Sequence, residues 1–240
     1  MKRSLPALAA SVAVVLALGG AASAELGTRS AEAVRLAEAT MIVEVNATDG
    51  DAGLQVFLDG EPWRTMRVTG PDGRTILDVT TKERLDGYGL TELFSESSEP
   101  PFDVFPLEKF KQLFPAGKYS FVGRTIEGAR LTGAARLSHA IPAGPRIVAP
   151  AGGSKVGRAG IVGRWRPVAQ PAGVDIVAYR AIVTTETPRL RVFSADLPAS
   201  ARHVEVPRAF LATSGEYKLE VQAIERSGNQ TLTEVSFRVR

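Results

Sequence analysis

Apolar and polar residues alternate with a period of two through most of the chain after Met41, and this spacing predicts strands that each bury one face. The sequence Gly70-Pro71-Asp72-Gly73 predicts a hairpin, because proline presets φ for a turn and glycine accepts a positive φ. Apolar residues at helical spacing predict one short helix over 107–114. The strands predicted in the first part of the chain are 41–45, 54–58, 65–68, 75–79, 118–123 and 129–138.

A segment rich in proline and glycine divides this pattern at residues 141–145. Two prolines and a glycine within five residues suit neither a helix nor a strand, so the sequence predicts a domain boundary at Gly144. The fold class predicted is therefore all-β, with two β-sandwich-like domains in tandem at 41–144 and 145–240, the first containing the helix. The second domain is predicted to contain strands 146–150, 161–168, 175–185, 190–193, 203–206, 216–225 and 231–239.

Residues 145–240 resemble a fibronectin type III domain. Trp165 lies where that family has its second-strand tryptophan, and Tyr179 lies in the third strand. The segment 214–223, Ser-Gly-Glu-Tyr-Lys-Leu-Glu-Val-Gln-Ala, resembles the sixth strand, and Ser227-Gly228-Asn229 resembles the turn that follows it. The resemblance implies a seven-stranded sandwich in which Tyr217 is the corner tyrosine. It also implies a spacer or recognition module without catalytic residues, and the Arg-Gly-Asp tripeptide of some members is absent.

The first 24 residues have the features of a secretory signal peptide. Lys2 and Arg3 precede an apolar run over 5–20, and Ala22-Ser23-Ala24 provides the small residues of a cleavage site. The run is shorter than the roughly 20 residues that a membrane span needs, so we expect export to the periplasm or beyond, with no transmembrane segment after cleavage. Residues 25–40 are predicted to be a mobile lead-in, with at most a couple of helical turns.

The formal charge of +3 hides an uneven distribution. Two of the positive charges lie in the predicted signal peptide. Residues 25–144 contain 13 basic and 18 acidic residues, whereas residues 145–240 contain 14 basic and 8 acidic residues. This asymmetry favours attraction between the two domains or head-to-tail association, and it specifies no oligomeric state.

Residue types that carry catalysis are scarce. The chain has no cysteine and two histidines, His139 at a strand end and His203 on the polar face of a strand. It lacks nucleophile-elbow, zinc-protease and phosphate-loop motifs. We therefore predict a protein with no catalytic residues and no cofactor.

Two acidic segments suggest weaker hypotheses. Asn46, Asp49 and Asp51, with glycines between and after them, offer hard oxygen ligands for Ca²⁺, but the match is incomplete and we predict an ordinary turn with no metal. The irregular segment from Tyr88 to Asp103 combines carboxylates with aromatic residues, which keeps a glycosidase or accessory carbohydrate-active protein as the alternative function. Its acidic residues are Glu92, Glu96, Glu99 and Asp103.

Arginines are concentrated in the second domain. Arg164 and Arg166 flank Trp165, and Arg189 and Arg191 flank Leu190, so each pair points to one face of its strand. Such a face would suit an acidic protein, an anionic polysaccharide or lipid headgroups, while a solvated, charge-protected sheet face is the alternative. No motif supports nucleic-acid binding. The sequence therefore predicts a non-catalytic exported binding or scaffold protein of the bacterial cell envelope, whose partner is a protein or a polysaccharide.

Overall fold

Strands dominate the secondary structure of the computed structural model, which describes residues 33–158, 160–186, 189–211 and 213–240. One short 3₁₀ turn lies at Glu83–Leu85, and the other regular elements are fifteen strands and one α-helix in the part of the chain that the structure describes. They are β1 Val34–Arg35, β2 Glu38–Asn46, β3 Asp51–Thr69, β4 Thr75–Thr80, β5 Leu90–Glu96, α1 Leu107–Leu113, β6 Gly117–Thr125, β7 Arg130–Leu137, β8 Ile147–Ala149, β9 Lys155–Val156, β10 Ile161–Trp165, β11 Ile176–Thr185, β12 Arg191–Pro198, β13 His203–Val206, β14 Gly215–Glu225 and β15 Gln230–Val239. No helix in these ranges is long and apolar enough to cross a membrane.

Residues 33–144, which we call the N-terminal half, form two layers of strands. The first part of β3 pairs with β2 and β5, and its second part pairs with β4 and β6, which in turn pairs with β7. The 19-residue β3 thus runs through both layers, and its pairing shifts between Asp59 and Trp63. Trp63, Tyr119 and Phe121 are fully buried between the layers, and Phe110 of α1 packs against the same core.

Residues 145–240, the C-terminal half, form a sandwich of two layers. Their strand orders are β13-β10-β8 and β15-β14-β11-β12, and the two-residue β9 pairs in parallel with the end of β15. Trp165 and Tyr179 pack against each other inside, with ring centroids 5.5 Å apart. The Tyr217 hydroxyl donates a hydrogen bond to the carbonyl of Thr213 (2.8 Å), as expected for the corner tyrosine.

One sheet connects the two halves, because β15 pairs in parallel with β2. The described residues consequently form one compact unit. Their apolar residues nevertheless form two cores, one on each side of the proline-rich segment 141–145. The all-β class is confirmed, and the domain boundary at Gly144 stays a prediction.

Three elements differ from the sequence-based expectation. The predicted strands 54–58 and 65–68 are both parts of β3, which continues through a register shift between Asp59 and Trp63. The predicted irregular segment 88–103 contains a strand, β5, which alternation missed because Leu90 and Leu93 are only half-buried and are not an even number of residues apart. Leu113, one of the apolar residues whose spacing predicts a helix over 107–114, is 57% exposed.

Regular structure is also present before Met41, between residues 34 and 40. The Leu36 backbone N–H donates to the Thr132 carbonyl (2.8 Å), and β1 pairs in parallel with β7. The Leu36 side chain occupies the space that a Cβ would fill at Gly60 and Gly133, at 2.8 and 2.6 Å from the ideal Cβ positions. This part of the predicted lead-in 25–40 is therefore docked on the sheet; the rest of it and the predicted signal peptide 1–24 lie outside the described residues.

Candidate functional site

The two halves meet around one buried asparagine, Asn229, in the turn between β14 and β15. Its side chain is fully buried, and its Oδ1 accepts a hydrogen bond from the Val43 N–H (2.8 Å). Its Nδ2 donates to the carbonyls of Ser138 (2.9 Å) and Ala140 (3.1 Å). Asn229 thus bonds one strand and the connecting segment of the N-terminal half, using both amide protons and its oxygen.

Further polar contacts surround Asn229. The Thr231 hydroxyl donates to the Pro142 carbonyl (2.6 Å), and Gln230 donates to the buried Glu44 carboxylate. The Glu234 N–H donates to the Thr48 hydroxyl (2.9 Å). Because these groups are satisfied by partners at fixed positions, the contact specifies one relative arrangement of the two halves.

Close backbone approach at two glycines makes this junction possible. A Cβ at Gly144 would lie 2.6 Å from both Ala47 Cβ and Thr233 Oγ1. Gly228 has φ +92°, and a Cβ there would lie 2.9 Å from Ile42 Cγ2. Asn229, Gly144 and Gly228 were not singled out as functional in the sequence, because a Ser-Gly-Asn turn and a proline-rich linker are ordinary connections.

A groove of about 500 Å³ opens beside the junction. Its wall is mostly apolar and includes Phe102, Leu107, Ile141 and Pro171. His139 also lines it, and its Nε2 lies 2.9 Å from the Phe114 carbonyl. The groove therefore borders the connecting segment, but its polar side chains are engaged within the protein.

The three residues considered for calcium form the turn between β2 and β3. Asn46 Oδ1 accepts from the N–H groups of Thr48 (2.9 Å) and Asp49 (3.1 Å), and Asn46 Nδ2 donates to Asp49 Oδ2 (2.8 Å). Asp51 lies opposite Asn46 in the strand pair, and burial, with the nearby charges of Asp49, Glu234 and Glu44, raises its pKa. Two of the three calcium-ligand candidates, Asn46 and Asp49, are thus engaged in hydrogen bonds within the turn.

The acidic segment contributes to a different cluster. Carboxylate oxygens of Glu96 and Glu99 lie within 4.8 Å of each other and of Glu44. Glu96 and Glu99 are exposed, and Glu96 accepts from Gln55 Nε2 (2.9 Å). Of the neighbouring aromatic residues, Tyr88 is 83% and Phe94 53% exposed, whereas Phe102 and Phe105 pack against the core.

The predicted arginines do not form one surface. Arg164 and Arg166 are exposed on the three-stranded layer, with Arg164 opposite His203. Arg189 is exposed beside β12. Arg191 turns inward, where its guanidinium donates to the Phe210 carbonyl (2.6 Å) and the Tyr217 hydroxyl (2.9 Å) and lies 5.0 Å from the Phe210 ring centre.

A short repeat relates the two halves. Gly117-Lys118-Tyr119 and Gly215-Glu216-Tyr217 each begin a strand, and Tyr119 donates to the Pro115 carbonyl (3.0 Å) as Tyr217 does to Thr213. Strand order corresponds as well, because β4, β3, β6 and β7 neighbour one another as β12, β11, β14 and β15 do. The shared Gly-x-Tyr is the sequence signal that could have revealed this relation.

Comparison with known proteins bears on the fold alone. The sequence matches no protein-family model, and no curated protein matches it. The FN1–FN3 domains of chicken CNTN1 match with 10% identity over 87% of this chain and 65% of that structure, at a TM-score of 0.37. A two-domain fibronectin type III segment of chicken tenascin matches with 9% identity over 85% of this chain and 97% of that one, at a TM-score of 0.30.

A structure of a 1.5-MDa bacterial ice-binding adhesin also matches, with 13% identity over 86% of this chain and 65% of that one, at a TM-score of 0.29. This chain therefore spans less than two thirds of the CNTN1 and adhesin structures. The strand order of the two layers, the packed Trp165 and the Tyr217 corner agree with the sequence resemblance. Residues 147–239 have a fibronectin type III-like fold.

Proposed function

We propose that this protein is a non-catalytic, exported binding or scaffold protein of the bacterial cell envelope that acts through protein or polysaccharide interaction. The observation that carries the proposal is the Asn229 junction, which holds two sandwiches in one continuous sheet. A fixed arrangement of two sandwiches presents surfaces from both halves at constant spacing, which is what a scaffold requires. The signal-peptide pattern of residues 1–24 supports export.

Glycoside hydrolysis is the second candidate, and the convergence of Glu44, Glu96 and Glu99 favours it. Carboxyl groups of retaining glycosidases lie about 5–5.5 Å apart, so the spacing alone is compatible with that chemistry. However, Glu96 is the exposed last residue of β5, Glu99 lies exposed three residues beyond it, and neither borders the groove beside the junction. We therefore rank binding above hydrolysis.

Co-sedimentation with isolated envelope material tests the proposal. The purified protein is incubated with washed cell envelopes of a bacterium that produces it, and both the bound fraction and the released reducing sugar are measured. We expect saturable binding without sugar release. Sugar release that disappears in the Glu96→Gln and Glu99→Gln variants would favour hydrolysis, and failure to bind would contradict the proposal.

A further inference from the structure

The N-terminal half, acidic in total charge, concentrates cations on one exposed sheet face. Six of its 12 basic residues point to the outer side of the layer formed by β7, β6, β3 and β4, with β1 at its edge. The strand registers place them on the same side, since side chains alternate along each strand and paired residues share a face. We call this surface the basic sheet face; its cations are Arg35, Arg67, Lys118, Arg124, Arg130 and Arg136.

Two pairs of like charges lie directly opposite each other on this face. Arg124 pairs with Arg130, and Lys118 pairs with Arg136, on neighbouring strands β6 and β7. Directly opposed like charges destabilise a sheet. Within the described residues, no ion pair engages these four side chains, although Arg124 donates to the Gly128 carbonyl (3.0 Å). Because the repulsion between these cations costs stability in the isolated protein, the arrangement indicates that an anion from outside the protein binds between them.

Protection of a sheet edge does not explain these charges. β6 lies between β3 and β7, so Lys118 and Arg124 belong to an interior strand whose backbone groups are already paired. The single acid facing the other cations in these registers, Asp78, is engaged by Arg67 (2.6 Å). A depression of about 580 Å³ lies among Arg67, Arg124 and Arg130.

We propose that the basic sheet face binds a linear anionic polysaccharide, an inference that rests on the proposed function and names its ligand class. The two opposed cation pairs are six residues apart along β6, a distance of about 20 Å, which several sugar units of an extended chain would span. Guanidinium groups match carboxylate, sulfate and phosphate oxygens in a bidentate manner. Hydroxyls of Thr65, Thr80 and Thr132 lie between the cations and suit sugar hydroxyl groups.

Other polyanions fit this face less well. An acidic peptide that joins a sheet needs a free strand edge, which β3 and β6 do not offer. A membrane-binding surface combines cations with protruding large apolar side chains. The only large apolar side chain exposed on this part of the sheet is Val122, at 39%, among the residues that the structure describes.

Binding to dextran sulfate, with uncharged dextran as its matched partner, tests the proposal on protein purified after expression of the full chain. We expect wild type to bind dextran sulfate and not dextran. The double variant Arg124→Gln/Arg130→Gln should bind at least about tenfold more weakly, since two charge-assisted contacts are lost. Its melting temperature should equal or exceed that of wild type, because the repulsion is removed.

The control is Arg146→Gln/Arg208→Gln, which removes two exposed positive charges from the C-terminal half at positions outside the arginine pairs of the sequence prediction. We expect this variant to bind dextran sulfate as wild type does. Equal weakening of the two variants, unchanged binding of the first, or tighter binding of wild type to phosphatidylglycerol vesicles or to poly-glutamate would overturn the inference.

Envelope co-sedimentation separates this inference from the proposed function. If wild type and Arg124→Gln/Arg130→Gln sediment equally with envelopes, the proposed function stands and the basic sheet face is not the site. If wild type does not sediment at all, the proposed function fails irrespective of dextran sulfate binding.

Discussion

Replacing Asn229 tests the junction that unites the two halves. Asn229→Ala removes three hydrogen bonds, each contributing about 1 kcal/mol net, and leaves the Val43 N–H buried without an acceptor. We therefore expect a loss of about 3–4 kcal/mol in the free energy of unfolding. Asn229→Asp is nearly isosteric but directs a carboxylate at two carbonyl oxygens, so its loss at neutral pH should be larger and should shrink when the carboxyl is protonated.

Urea denaturation followed by tryptophan fluorescence reports this loss, since each half contains one buried tryptophan, Trp63 and Trp165. Wild type should unfold in one transition, and Asn229→Ala should separate the two halves into distinct transitions. Leu131→Ala is the matched control: Leu131 is fully buried in the core of the N-terminal half, and its truncation should cost about 2–5 kcal/mol. A loss below about 1 kcal/mol for Asn229→Ala, with one transition retained, would refute this reasoning.

Two further predictions concern titratable groups. Burial, with the charge of Asp72, raises the pKa of Tyr119 to about 12. The stabilisation from its neutral hydroxyl should therefore persist up to pH 10 and be lost between about pH 10 and 12. Over this range the urea midpoints of wild type and Tyr119→Phe should converge, while the exposed Tyr88→Phe control should follow wild type. The raised pKa of Asp51 means that its ionised carboxylate disfavours folding at pH values above its ordinary pKa of 3.8. Asp51→Asn should therefore raise the melting temperature at pH 7, by an amount that diminishes as the pH falls towards 3.8. An unchanged or lower melting temperature at pH 7 would contradict this cause.

Much of the architecture could be predicted from local patterns. Period-two alternation identified strands such as β13, whose bounds 203–206 coincide with the prediction, because each of these strands buries one face against a core. The corner tyrosine was predicted from the resemblance of segment 214–223 to the fibronectin type III family, and its hydrogen bond to Thr213 reaches only four positions along the chain. Strand β5 was not predicted, because its residues are half-buried or exposed and its sequence therefore does not alternate between apolar and polar positions.

The features that depend on distant residues could not be predicted. Asn229 bonds Val43 across 186 positions, and nothing in a Ser-Gly-Asn turn distinguishes a buried junction from a solvated loop. The basic sheet face likewise arises from strand register, because Arg124 and Arg130 become neighbours only when β6 and β7 pair. In contrast, Arg191 looked like a surface cation in its strand pattern but binds Tyr217 inside the C-terminal half.

The distance distribution between the two halves tests the central claim most directly. The chain has no cysteine, so a double variant Leu113→Cys/Val192→Cys would carry spin labels at these two positions alone. Both positions are exposed, and they lie in different halves. Double electron–electron resonance should give one narrow distance distribution for the labelled protein and a broad one when Asn229→Ala is added. A broad distribution with Asn229 intact would contradict the account, because the halves would then move independently despite the junction.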